Sequence, residues 1–179
     1  MTEYSYMNLL INLICWAGSV WRRRIVTEVY KALRLKMHHN NGTLFAAPWE
    51  ERDKGLQRSQ NLLVVDDCRE LLHILGECFA VYADGYNILT APDGREAIKV
   101  LQSAPVEILL TDLHMPGMNG LELSSFTKNN YPGTKIFTMS GDDKIISKNG
   151  LNHLGISAHI RKPFSIDDLM SVVLEGHIA

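Results

Sequence analysis

Cysteine is scarce in this chain. Only three of the 179 residues are cysteines, Cys15, Cys68 and Cys78. No two of them form a Cys-x-x-Cys pair, and none has an evident histidine cluster as a partner. This spacing argues against a zinc site and against a disulfide scaffold, and it fits a reducing cytosol.

A long uninterrupted apolar run is also missing. A membrane-spanning helix needs ~20 apolar residues, whereas residues 7–21 form a shorter run that contains Asn8 and Asn12 and precedes three arginines. The basic start and the small-residue cleavage site of a signal peptide are absent too. We therefore expect no membrane association, although a weak anchor with the arginines on the inner side is one interpretation of this region.

The first sixty residues permit two further interpretations. Apolar side chains in residues 25–37 follow the spacing of one helix face, which favours a helical extension or docking segment. The same region is alternatively sequence upstream of the true start. Residues 38–60 contain Asn-Asn-Gly, Pro48 and mixed charges, a composition typical of a linker. We predict a partly helical extension and linker over 1–60 and a folded domain over 61–179.

Positive charge is sparse in the predicted domain. Residues 61–179 contain nine Lys/Arg and fifteen Asp/Glu, a net charge of −6, whereas residues 1–60 contain nine and five, a net charge of +4. Nucleic-acid binding needs clustered Lys and Arg to contact phosphates. We therefore expect no direct nucleic-acid binding by this domain.

Short apolar runs alternate with helical patterns from residue 61 onward. The predicted strands cover residues 62–65, 87–91, 106–111, 135–139 and 158–161. The predicted helices cover residues 69–82, 93–102, 120–129, 143–154 and 166–174. Five strands alternating with five helices predict an α/β fold with a parallel sheet covered on both faces.

Polar side chains stand at the carboxyl ends of four predicted strands. They are Asp66 and Asp67, Asp112, Ser140 and Lys162. A single aspartate at such a place is usually a helix cap or a turn residue. Ligands of open α/β sheets bind outside the carboxyl ends of the strands, so five such residues together indicate a functional site.

Four segments resemble the signature segments of response regulator receivers. They are LLVVDD (62–67), LLTDLHMPGMNGLEL (109–123), TMSG (138–141) and IRKPFS (160–165), and the resemblance runs from about residue 61 to 177. It implies a flavodoxin-like (βα)5 doubly wound parallel sheet with strand order 2-1-3-4-5. It also implies a signalling domain, not a classical enzyme, that switches when an aspartate accepts a phosphoryl group.

The resemblance also implies a metal site around that aspartate. Asp112 is then the phosphoacceptor, and Mg²⁺ binds directly to Asp67, Asp112 and the backbone carbonyl of His114, with Asp66 acting through water. The chemistry is consistent, because clustered carboxylates repel one another unless a cation compensates, and Mg²⁺ prefers oxygen ligands.

The remaining site residues are implied to act on the phosphoryl group. Lys162, preceding a cis peptide to Pro163, binds one phosphoryl oxygen, and Ser140 hydrogen-bonds another. Ser140 and His159 form the switch, and His159 stands where the family usually has Tyr or Phe. An imidazole is costly to turn inward if it has no partner.

Two flanking residues are expected to tune the lifetime of the phosphorylated state. His114 and Asp142 each lie two residues beyond a site residue, where side chains flank the route of an attacking water. A second departure from the family pattern is Cys68, which stands where an acidic residue often follows the aspartate pair.

The expected function is that of a stand-alone receiver in the cytoplasm, because the chain ends directly after the last predicted helix. Its phosphodonor would be a histidine kinase or a histidine phosphotransfer protein. Its output would be a phosphorylation-dependent surface, formed by residues 143–154, 158–161 and 166–174, that binds a downstream protein or a second copy of the chain.

Three alternatives fit the residues less well. A phosphatase with an aspartyl nucleophile would want a second acid where His114 stands. A pseudo-receiver that is never phosphorylated would not need Asp67, Asp112 and Lys162 intact. A flavin-binding protein shares the fold, but Asp66 and Asp67 would repel its phosphate.

Overall fold

The computed structural model describes residues 60–83, 85–141 and 153–175. Of the predicted extension over residues 1–60, residues 1–59 lie outside the described residues, and Gln60 belongs to the first strand instead. Asp142 and all but the last two residues of the predicted helix over 143–154 also lie outside the described residues.

Five parallel strands form one sheet in the order β2-β1-β3-β4-β5. The predicted flavodoxin-like fold and strand order are confirmed. The strands are β1 Gln60–Val65, β2 Tyr86–Ala91, β3 Ile108–Asp112, β4 Lys135–Ser140 and β5 Ile156–Arg161.

Three of the described helices connect successive strands across the two faces of the sheet, and a fourth follows β5. They are α1 Arg69–Tyr82, α2 Gly94–Ser103, α3 Gly120–Asn130 and α4 Ile166–Met170, the last of which continues as a π-helical turn, Ser171–Glu175. Within the described residues, no helix is long and apolar enough to cross a bilayer.

Helix α1 has its predicted bounds. The other described elements begin and end within two residues of their predicted bounds, if the π-helical turn is counted with α4. Asp93 was predicted as the first residue of a helix but is its N-cap, because its side chain accepts hydrogen bonds from the backbone N–H groups of Arg95 and Glu96. Strand β3 includes Asp112, which the prediction placed just beyond the strand. The phosphoacceptor candidate is therefore held by the sheet itself.

The sheet is buried on both faces, as parallel sheets usually are. Alternate residues of β1 point to opposite sides, so Leu62 and Val64 pack with α1 and α4 while Leu63 and Val65 pack with α2 and α3. Buried hydroxyl groups interrupt these layers at Thr111 on β3 and Thr138 on β4.

Candidate functional site

A buried ammonium joins two buried carboxylates at the carboxyl edge of the sheet. Nζ of Lys162, just after β5, lies 2.9 Å from Oδ2 of Asp66 and 2.8 Å from Oδ1 of Asp112. Asp66 follows β1 and Asp112 ends β3, so residues from the ends of three strands converge on one point. We call these three residues the buried triad.

The triad is stable only because its charges compensate one another. The side chains of Lys162, Asp66 and Asp112 are 2%, 0% and 5% exposed. Burial by itself would lower the pKa of Lys162, but the charges and hydrogen bonds of Asp66 and Asp112 outweigh it and raise that pKa above its usual value. Lys162 therefore stays charged at neutral pH.

Backbone N–H groups fix the other oxygens of both carboxylates. Oδ1 of Asp66 accepts from the backbone of Cys68 at 2.9 Å, and Oδ2 of Asp112 accepts from the backbone of His114 at 3.1 Å. These bonds stabilise the ionised carboxylates and limit their rotation. The reactive groups are thus held in place before any ligand arrives.

Gly120 lies against the backbone of Asp112. A Cβ atom at Gly120 would be 2.1 Å from the carbonyl oxygen of Asp112 and 2.9 Å from its carbonyl carbon. Asn119 caps α3 directly beside it, in a reciprocal capping box with Glu122. The start of α3 therefore packs on the residue that carries the candidate nucleophile, and only glycine allows this approach.

The charges around the triad suit a hard divalent cation. Asp67, half-buried beside Asp66, adds a third carboxylate, so three carboxylates and one ammonium carry a formal charge of −2. Oxygen ligands and excess negative charge fit Mg²⁺. Asp66, Asp67, Asp112 and the backbone carbonyl of His114 are the residues that would hold it.

Side chains alone do not form a complete metal site in the structure. Within the described ranges, no three His, Cys, Asp or Glu side chains are arranged as ligands of one ion. Lys162 occupies the point where the carboxylates of Asp66 and Asp112 converge. A cation at this edge would bind beside the lysine, through Asp67, Asp112 and backbone or water oxygens.

The predicted phosphoryl-binding residues lie at the same edge. Ser140 ends β4 and is fully buried, and its carbonyl oxygen accepts from the backbone N–H of Lys162 at 2.7 Å. The Lys162–Pro163 peptide bond is cis, which confirms that prediction. Ser140 and Lys162 are thus tied together through the backbone.

The predicted switch residue His159 lies on β5 with hydroxyl groups at both ring nitrogens. Its Nδ1 is 2.9 Å from Oγ1 of Thr138, and its Nε2 is 3.4 Å from Oγ of Ser140. Thr138 was not among the residues singled out from the sequence. The available signal was its place as a polar residue in a buried strand, two positions before Ser140.

Of the two residues expected to tune the lifetime of the phosphorylated state, the structure describes His114 only. The His114 side chain is exposed, and its backbone N–H donates to Asp112. Asp142 is outside the described residues.

The two described cysteines show no reactive chemistry. Burial raises the pKa of Cys68 to about 11 and that of Cys78 to about 12, so both are neutral thiols at neutral pH.

Comparison with known sequences identifies the family. A family model described as "Response regulator receiver domain" matches residues 62–174. The transcriptional regulatory proteins GlrR of Escherichia coli K12 and QseF of Escherichia coli O157:H7 are each 28% identical over 113 residues. Those residues are 63% of this chain but 25% of each relative, so the chain spans about a quarter of their length.

Solved structures of response regulators are similar to this chain, in agreement with the family model. The chemotaxis response regulator CheY4 of Vibrio cholerae is 27% identical with a TM-score of 0.57, covering 63% of this chain and 94% of CheY4. The response regulator TrrA of Thermotoga maritima, solved in complex with Mg²⁺ and BeF, is 28% identical with a TM-score of 0.55, covering 63% and 94%.

Proposed function

Because this chain belongs to the response regulator receiver domain family, we propose that it accepts a phosphoryl group on Asp112. The observation that carries the proposal is the buried triad, in which one ammonium contacts Asp112 and Asp66 at the carboxyl edge of the sheet. A structural ion pair needs one carboxylate per lysine. The surplus carboxylates supply the nucleophile and the cation ligands of a phosphoryl-transfer site.

Asp112 is the nucleophile in the proposed reaction. Its carboxylate oxygen attacks the phosphorus atom of a phosphohistidine, the O–P bond forms while the N–P bond breaks, and the leaving imidazole takes up a proton. Lys162 remains charged and binds a phosphoryl oxygen, and the Ser140 hydroxyl donates to another. Most of the catalysis is positioning and charge neutralisation.

Mg²⁺ is the proposed cofactor, held by Asp67, Asp112 and the backbone carbonyl of His114, with Asp66 acting through water. When bound, it neutralises negative charge on the phosphoryl oxygens. The formal charge of −2 at the carboxyl edge supports this assignment, as does the Mg²⁺ complex of TrrA.

The proposed donor is a histidine kinase or a histidine phosphotransfer protein in the cytoplasm. Receivers are signalling domains, so the catalysis assigned to this chain is limited to its own phosphorylation and dephosphorylation. Phosphotransfer profiling against the kinases of the host would identify the donor, and transfer from none of them would contradict a kinase partner.

The proposed output is a surface near β5 and α4 that changes when Ser140 and His159 move. It binds a downstream protein or a second copy of the chain. Light scattering with and without Mg²⁺ and beryllofluoride tests the homodimer. An unchanged molar mass at micromolar concentration would restrict the output to other proteins.

Labelling with a small phosphodonor tests the central proposal. The purified chain is incubated with acetyl phosphate, with Mg²⁺ or with EDTA, and the aspartyl phosphate is detected by intact mass. We expect labelling only with Mg²⁺ and none in Asp112→Asn. The matched control is Asp167→Asn, the same chemical change at an exposed carboxylate of α4, which should label like the native chain. Labelling that persists in Asp112→Asn would refute the site.

A further inference from the structure

Thr138 is a polar residue in an otherwise apolar part of β4. The strand reads KIFTMS, and Thr138 is 0% exposed. A buried hydroxyl destabilises a fold unless it has a hydrogen-bond partner. Here Oγ1 lies 2.9 Å from Nδ1 of His159, its register partner on β5.

One imidazole ring connects two hydroxyls of the same strand. Thr138 and Ser140 are two residues apart, so their side chains share a face of the sheet. The ring of His159 reaches the first at 2.9 Å and the second at 3.4 Å. The contact with Thr138 therefore has the length of an ordinary hydrogen bond, whereas the contact with Ser140 is longer than most hydrogen bonds.

Proton counting shows what the contact with Thr138 does. A hydroxyl has one proton, and a neutral imidazole has one N–H and one acceptor nitrogen. If Ser140 donates its proton to a phosphoryl oxygen, Nε2 of His159 must be the donor in its contact with Ser140. Nδ1 is then the acceptor, and the hydroxyl of Thr138 is in position to donate to it.

The opposite tautomer has the opposite effect on Ser140. If Nδ1 carries the proton and donates to Thr138, then Nε2 accepts the proton of Ser140. In that arrangement the ring competes with a phosphoryl oxygen for the Ser140 proton. The two tautomers of His159 therefore correspond to two states of Ser140.

We propose that Thr138 is a positioning residue that supports the Nε2–H tautomer of His159, in which the ring does not compete with a phosphoryl oxygen for the Ser140 proton. The inference rests on the proposed function of Asp112, since the phosphoryl oxygen is what draws the Ser140 proton. Thr138 acts through His159 and does not contact the triad.

A double-mutant cycle tests whether Thr138 acts through His159. Thr138→Val and Thr138→Ser are made in the native chain and in His159→Phe, and the rate of phosphorylation by acetyl phosphate is measured with Mg²⁺. We expect Thr138→Val to slow the reaction about fivefold and Thr138→Ser to stay within about twofold of the native rate. In His159→Phe, the Thr138→Val change should have no further effect, because the ring nitrogens are gone.

Histidine ¹⁵N spectra read out the tautomer directly. The His159 signals are those missing from His159→Phe. With Mg²⁺ and beryllofluoride bound, we expect the Nε2–H form in the native chain and a shift towards the Nδ1–H form in Thr138→Val. If Thr138 only stabilised the fold, its replacement would not change the His159 tautomer.

The outcomes separate this inference from the proposed function. A native chain that takes up no phosphoryl group removes the proposed function. If the native chain is labelled and Thr138→Val reacts at the same rate, the function stands and the inference is overturned. If Thr138→Val does not melt cooperatively, an Nδ1–H tautomer in the native chain with beryllofluoride overturns the inference by itself, whereas the Nε2–H tautomer supports it.

Discussion

The two edges of the sheet carry polar groups of different kinds. The carboxyl edge holds the buried triad, whose members are almost completely excluded from water. At the amino edge, the Asn61 side chain donates to the carbonyl of Pro105 and accepts from the Asn87 amide, while its backbone N–H donates to the Glu107 carboxylate. These groups are partly exposed and mostly neutral.

This difference distinguishes polar groups that only stabilise the fold from charged groups that can respond to a ligand. Each of these polar groups at the amino edge has a hydrogen-bond partner, and water can take the partner's place if the bond is lost. At the carboxyl edge, removal of Lys162 would leave two buried carboxylates without a compensating cation. That edge is therefore the part of the fold where a charged ligand can change the electrostatic balance.

Removing the ammonium should have the largest effect. In Lys162→Met, two buried carboxylates lose their cation, so we expect a loss of about 3 kcal/mol in the free energy of unfolding. Phosphorylation by acetyl phosphate should slow by about 100-fold, because a group that stabilises the transferred phosphoryl is gone. Urea unfolding in EDTA and labelling kinetics measure the two effects.

The matched change at the opposite edge is Asn61→Ala. It removes neutral hydrogen bonds and should cost about 1 kcal/mol in the free energy of unfolding. Its labelling rate should match that of the native chain. If Asn61→Ala slowed labelling as much as Lys162→Met, the distinction between the edges would fail.

A methyl group at Gly120 should disturb the carboxyl edge without changing any charge. In Gly120→Ala the new Cβ would collide with the Asp112 backbone, so we expect about 2 kcal/mol of destabilisation and about tenfold slower labelling. Gly133→Ala is the control, because a Cβ atom at Gly133 would have no heavy atom within 4 Å outside its own chain neighbours. If the two variants had equal free energies of unfolding and equal labelling rates, the start of α3 would be able to shift and accommodate the methyl group without cost.

Replacing the flanking residues should change the lifetime of the phosphorylated state. We expect the double variant His114→Ala, Asp142→Ala to alter the dephosphorylation rate at least tenfold, or about 1.4 kcal/mol in the barrier. Each position lies two residues beyond a proposed site residue, so we expect both to flank the route of the attacking water, and neither side chain is a proposed cation ligand. Decay is followed by intact mass, and Mg²⁺ affinity by calorimetry should stay nearly constant. Unchanged decay would place both residues outside the water route.

Shortening the chain should have the smallest effect. A chain that begins at Ser59 should unfold cooperatively and label at the native rate, because the triad and the strand–helix alternation all follow Gln60. Circular dichroism melting and labelling kinetics measure this. A loss of folding would mean that residues 1–58 pack on the domain, and it would favour their interpretation as a docking helix.

The sequence predicted the fold because its local patterns agree with the global one. Five apolar runs of strand length, four of them ending in a polar residue and each followed by a helical period, allow few arrangements other than a parallel doubly wound sheet. The boundary errors have local causes, as at Asp93, whose side chain caps α2 and so lies outside it. Asp66, Asp112, Ser140 and Lys162 were placed together by the same reasoning.

The sequence by itself determined which residues meet at the carboxyl edge, because parallel strands must end on the same side of their sheet. Only the tertiary structure decided how they meet. It showed that Lys162 contacts Asp66 as well as Asp112, and that Thr138 is bonded to His159. Strand register and side-chain packing bring residues 21 to 96 positions apart within 3 Å of one another, and such distances are set by the whole core, not by any local pattern.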